Sequence, residues 1–269
     1  MIFRSLLLCL SVLIATPLYA HEFWIDPAKF QVSNRGNIQA DFRVGQGFSG
    51  SKHSFLQQRT TRHQVVQNQT LRNVSSRSGD RPAFNFDAPG NGLLILIHET
   101  ANNTLRYTEL AKFEKFATHK AFDDALTQHQ ARGLPDTGFV ETYRRYAKSL
   151  IAVGDGTGQD QPVGLDIEIV ALANPYIDDV SGGLPVQVLL NGAPRANVQV
   201  ELFARATGST DDAIITLHTT DARGVVILPV KPGQTYMADN VALQAVTPTS
   251  DNEAVWHTLW ANLTFAVPG

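Results

Sequence analysis

The chain has 269 residues, with 22 Lys and Arg against 25 Asp and Glu and a formal net charge of −3, so no basic surface points to nucleic acid. Its length suits one large or two modest domains. Cys9 is the one cysteine, which excludes thiolate zinc sites, cysteine nucleophiles, iron–sulfur clusters and disulfides from the rest of the chain.

Arg4 precedes an apolar run from Leu6 to Ile14, and Pro17 breaks that run ahead of Leu18-Tyr19-Ala20. The run is too short to span a bilayer and reads as a secretory signal cleaved after Ala20. The expectation is a periplasmic protein, not membrane-spanning, whose mature chain begins at His21 and has lost Cys9.

From Phe30 to Leu110 strand signals dominate. "NIQADFRVG" (37–45) alternates apolar and polar residues, whereas "GLLILIHE" (92–99) is continuously apolar, as a strand buried on both faces requires. "SSRSGDRP" and "APGNG" separate the strands. The period then lengthens: Leu110, Phe113, Ala117, Ala121 and Leu126 recur at three to five residues, and Phe139, Tyr143, Tyr146 and Leu150 follow at helical spacing. This predicts two helices over about 110–150, joined at "RGLPDTG". "GDGTGQDQP" (154–162) has the composition of a flexible linker.

Strand signals return in "LDIEIVAL", "PVQVLL", "VQVELFAR", "AIITLHTT", "GVVILPV", "TYMAD" and "VWHTLWANLTFAV". Asn191-Gly192, Asp221-Ala222-Arg223-Gly224 and Pro232-Gly233 predict three hairpin turns. The expected fold is therefore mainly β, with two antiparallel β-sandwich lobes. Residues 21–153 form the first, with its two-helix insertion, 154–162 link them, and 163–269 form an immunoglobulin- or transthyretin-like second lobe.

His21 is the sharpest candidate for chemistry. A free N-terminal histidine offers its α-amine and Nδ1 to one ion, and imidazole suits copper, nickel and zinc. Phe23 and Trp24 would pin that terminus onto the sandwich; the ordinary alternative is a frayed end. His98, closing the buried strand, is the leading second ligand or else a sandwich-edge histidine. His257, between Trp256 and Trp260, is a third candidate or a packed one. His53, after "VGQGFSG", is a loop residue or a ligand. His119 with Asp123 is an i, i+4 pair or a solvated helix face, and His129 faces away from it. Arg144, Arg145 and Lys148 present a small basic face to an anion or are solvated charges of an amphipathic helix. No G-x-S-x-G, H-E-x-x-H, calcium loop or phosphate loop occurs.

"HEFWIDP", "VGQGFSG", "YRRYAKSLIAVG", "LDIEIVALANPY", "LNGAPRANVQV" with "TTDARG", and "WHTLWANLTF", in this order, resemble a bacterial periplasmic family of unknown biochemical function that carries, by similarity, a nickel- or cobalt-transport label. The resemblance spans nearly the whole chain after residue 20. It implies a recurrent H-[DE]-F-W start and a role in metal transport. The expected function is binding of a transition metal (nickel, cobalt, copper or zinc) for uptake or homeostasis. The ligands would be His21, His98 and His257, the partner an envelope transport component, with no organic cofactor and no catalysis. The alternatives are a non-catalytic envelope interaction or ligand-binding module without metal, and an oxidising copper enzyme.

Overall fold

The computed structural model describes residues 21–250 and 253–269; the expected signal segment lies outside the described residues. In chain order come β1 (Glu22–Pro27), β2 (Gln31–Val32), β3 (Asn37–Gln46), β4 (Ser49–His53), β5 (Thr60–Gln67), β6 (Thr70–Asn73), β7 (Phe84–Asp87), β8 (Gly92–Thr100) and β9 (Asn103–Arg106). Helices α1 (Leu110–His119) and α2 (Ala125–Ala131) follow, then β10 (Val140–Val153), β11 (Ile167–Ala171), β12 (Leu184–Leu190), β13 (Ala193–Pro194) and β14 (Gln199–Ala206). The last strands are β15 (Ile214–Thr219), β16 (Val225–Leu228), β17 (Gln234–Ala245) and β18 (Ala254–Val267). Among the described residues no helix is long and apolar enough to cross a membrane.

A ten-stranded sheet forms the centre, ordered β15-β14-β17-β18-β10-β8-β5-β6, with β2 and β9 also pairing β10. It draws strands from both halves of the chain, joined where β10 and β18 run parallel over a long register. A four-stranded sheet of β1, β3, β4 and β7 covers part of one face, and the two helices cover another part of that face. The sheet of β11, β12, β13 and β16 covers the opposite face. The chain is thus mainly β, with sandwich packing on both sides of the central sheet.

This layering explains the unbroken apolar run of β8. Leu93, Ile95 and Ile97 enter one core while Leu94 and Leu96 enter the other. Alternation in a strand sends neighbours to opposite faces, so a doubly covered strand has no polar side.

The same cause corrects the second predicted helix. Residues 140–153 are strand β10, paired with β8, β9 and β18. Tyr146 and Leu150 face one core and Ala147 and Ile151 the other, so burial on both faces hides the period of two. The two helices lie earlier, in 110–131, because Ala121 at φ 55° breaks the first after His119.

The expected linker 154–162 is pinned. Lys148 Nζ lies 2.8 Å from Asp160, both fully buried, and Asp160 accepts the Ala171 N–H at 2.8 Å. Asn174 Nδ2 donates to the carbonyls of Gly156 and Gly158. Of the three expected hairpins, Asn191-Gly192 closes β12 onto β13 with both residues at positive φ, as a two-residue turn requires. The other two turns carry the chain between sheets instead, because β15 and β17 belong to the central sheet and β16 to the smaller one.

Candidate functional site

β1 lies antiparallel on β3, with Phe23 opposite Val44 and Ile25 opposite Phe42. Phe23 and Ile25 enter the core against the central sheet, while Trp24 is sealed on the other side by Phe48, Phe203 and Met237. Thr264 Oγ1 donates to the Ile25 carbonyl at 2.8 Å, and Arg145 Nη2 donates to the His21 carbonyl at 3.0 Å. Residues 21–25 are therefore fixed, as bulky Phe23 and Trp24 predict. Strand alternation places His21 on the side of Phe23.

That side opens on a cavity of about 100 Å³ lined by Phe23, Phe42, His53, Arg59, His98 and Arg145, among others. His53 is not on a flexible loop. "VGQGFSG" is a tight hairpin, with Gly47 and Phe48 both at positive φ and Gln46 paired to Ser49. A Cβ on Gly45 would strike the Ser49 carbonyl, and this close approach sets His53 opposite Phe42.

His98 is buried with its ring 4.0 Å from that of Phe42 and 5.5 Å from that of Phe23. Its Nδ1 has no hydrogen-bond partner. Burial, then the neighbouring His63, holds its pKa well below the ordinary value. His63, which the sequence did not single out, lies edge-on at 5.6 Å. Its Nε2 meets Ser76 Oγ and the Ala83 carbonyl, and burial pushes its pKa down to about 4. Burial and then Arg145 lower the pKa of His53. The imidazoles are thus neutral near pH 7.

His257 lies on the opposite face of the central sheet. Its Nδ1 is 2.9 Å from Thr142 Oγ1, beside Arg144 and Asp166, and Leu259 and Ala261 share its side. The sheet separates it from His98, whose strand neighbours Leu94 and Leu96 face the other core. His129 is a satisfied core residue, accepting from Trp256 Nε1 at 3.2 Å and donating through Nε2 to the Pro135 carbonyl at 3.0 Å. His119 ends α1, so Asp123 is not one turn further along it; its Nε2 sits 3.3 Å from Glu201. Neither the solvated helix face nor the alternative basic face forms, because β10 divides the three cations. Arg144 pairs with Glu99 and Asp166 on one side, Lys148 is buried against Asp160, and Arg145 points to the cavity.

Beside the anchored strand lies a second polar cluster. Glu22 faces Lys120, Glu201 and Asp239, all buried. Lys120 Nζ is 2.9 Å from Glu201 and 2.8 Å from Asp239, which outweigh burial and hold its pKa above the ordinary value. Burial, then the Asp239 charge, pushes Glu22 up to about 8, with Lys120 opposing. A cleft of about 640 Å³ carries the ion pairs of Arg43 with Asp26 and Lys52 with Asp41, together with Lys29 and Arg205. Among the described residues no three His, Cys, Asp or Glu side chains are grouped to hold a metal ion.

Residues 18–241 match the family described as Domain of unknown function (DUF4198). No curated protein matches. A solved structure, a tetra-tandem repeat in the extending region of a large adhesion protein, aligns over 91% of this chain at 8% identity with a TM-score of 0.21. The chain spans about half the length of that structure, 49%.

Proposed function

The chain belongs to the DUF4198 family of domains of unknown function, and from the histidine-lined cavity we propose that it is an exported, periplasmic protein binding nickel, cobalt, copper or zinc for uptake or homeostasis, in concert with an envelope transport component. The observation that carries this reading is the anchored start of β1, where Arg145 holds the His21 carbonyl beside a cavity bearing His53 and His98. The donor chemistry fits such an ion. His53 and His98 offer neutral imidazoles, and the unpartnered His98 Nδ1 is a buried polar atom wanting a partner. The reading adds the α-amine and ring of His21, which cleavage after Ala20 frees; His21, His53 and His98 are not grouped as ligands among the described residues, so binding has to draw them together. His257, across the sheet, takes no part. The ion is cargo, and the reading includes no catalysis.

Calorimetric metal titration tests this on protein beginning at His21 and on a version with one alanine ahead of it. The expected result is at least tenfold weaker binding by the extended version, and binding that weakens as pH falls because amine and imidazole must be deprotonated. Equal affinity of the two versions would overturn the terminal chelate. Absence of binding by both favours the second reading, a docking module, which has its own supporting observation. β15 is an edge strand of the central sheet and exposes Ile214, Ile215 and Leu217, with Ile227 exposed nearby on β16.

A further inference from the structure

We propose that the cavity beside β1 is a binding site for a small carboxylate with a short apolar tail, anchored by Arg145. This inference is independent of the metal reading and needs no ion. Arg145 departs from its neighbours in how its charge is met. Lys120, Lys148 and Arg144 each face carboxylates, whereas Arg145 has no ion pair among the described residues. Its Nη2 donates to the His21 carbonyl, it also hydrogen-bonds the side chain of Tyr143 and lies over that ring at 4.8 Å, and its Nε is buried without an acceptor. Arg145 is partly buried with its Nε unsatisfied, and an arriving anion would supply the acceptor that this N–H lacks.

Among the described residues no carboxylate forms an ion pair with Arg145: Glu22 acts on it at longer range, but strand alternation turns that carboxyl away from Phe23 and into the Lys120 cluster. The cavity instead places Arg59 as a second cation, the rings of His53 and His98, and the apolar walls of Phe23, Val44 and Leu56 around Arg145. The planar fork of arginine matches a carboxylate through two parallel N–H bonds. The apolar walls select an organic acid over an inorganic oxyanion, and a volume of about 100 Å³ limits it to a few heavy atoms.

The test uses protein beginning at His21, stripped of metal with a chelator and labelled with nitrogen-15. Sodium propionate, acetate, phosphate and chloride are titrated separately at constant ionic strength while the arginine Nε–H and histidine ring signals are followed. The expected result is saturable movement of the Arg145 Nε–H and His53 ring signals with propionate, weaker binding of acetate, and no saturation with phosphate or chloride. Arg145→Lys keeps the charge but loses the fork, and binding should weaken at least tenfold. Should that variant fail to fold, Val44→Thr is expected to weaken propionate several-fold and leave acetate unchanged. Saturation by phosphate as tight as by propionate, absence of saturation by any carboxylate, or unchanged affinity in both variants would overturn the proposal. Because every titration is metal-free, its outcome is separate from that of the metal titration.

Discussion

Replacing Glu22 by glutamine perturbs a carboxyl that is nearly water-free and surrounded by two other acids and one lysine. Its folded pKa is about 8 against an ordinary value of 4.5, with burial the main cause and Asp239 the next. The folded state therefore holds the proton more tightly than the unfolded chain does. Below pH 4.5 both states are protonated and the group is neutral to stability. As pH rises from there to about 8 the unfolded chain releases the proton and the folded state does not, so stability falls, and above about 8 the loss is constant. At pH 7 this amounts to on the order of 3 kcal/mol. Glutamine keeps an acceptor for the Gly47 N–H that now meets Glu22 Oε2 at 3.1 Å, and its amide can donate toward the neighbouring carboxylates. Glu22→Gln should therefore raise stability at pH 7 and 8.5, leave it unchanged near pH 4.5, and flatten the slope between them. Urea unfolding at those three pH values measures it. Equal slopes for the two proteins would show that Lys120 keeps Glu22 ionised in the folded state, and the reasoning would fail.

Asp160→Ala removes the carboxylate that meets Lys148 Nζ and the Ala171 N–H, leaving Glu168 3.8 Å from the ammonium. Breaking a buried pair from one side costs about 3–5 kcal/mol, and a loss below about 1 kcal/mol in chemical unfolding would mean that 154–162 is not a structural segment. His63 should keep the ring shifts of neutral imidazole in proton NMR down to about pH 5, since burial lowers its pKa to about 4, and His98, which burial holds well below the ordinary value, should stay neutral as pH falls through 6.5. In that range the unfolded chain binds the extra protons, so these two groups make stability fall as pH drops below 6.5, opposite in sign to Glu22. A ring that titrates near 6.5 would place it in water.

The local code carried much of the architecture. Alternation in 37–45, the apolar run of β8 and the strand signals after residue 163 each correspond to a strand, and Asn191-Gly192 closes its hairpin. Phe23 and Trp24 behind His21 were a legible sign of an anchored start, because two bulky apolar side chains on opposite faces of a strand must both find cores. His98 was legible as the end of a buried strand.

What lay beyond local pattern was partnership across long sequence separation. Phe139, Tyr143, Tyr146 and Leu150 fit a helix by spacing, but β18, more than a hundred residues away, pairs with 140–149 while β9 and β8 pair with the two ends, and those partners make 140–153 a strand. The consequence for the site is direct: as a helix, Arg144, Arg145 and Lys148 share a solvated face, but as a strand covered on both sides they part. Arg144 and Arg145 go to opposite layers, and Lys148 is buried against Asp160. The same sheet separates His257 from His98 and brings His63, unremarkable in sequence, to within 5.6 Å of the His98 ring. Side-chain period is set by backbone geometry and can be read along a chain, whereas the face a residue finally shares depends on which distant strand lies beside it, and that is decided by burial of the whole.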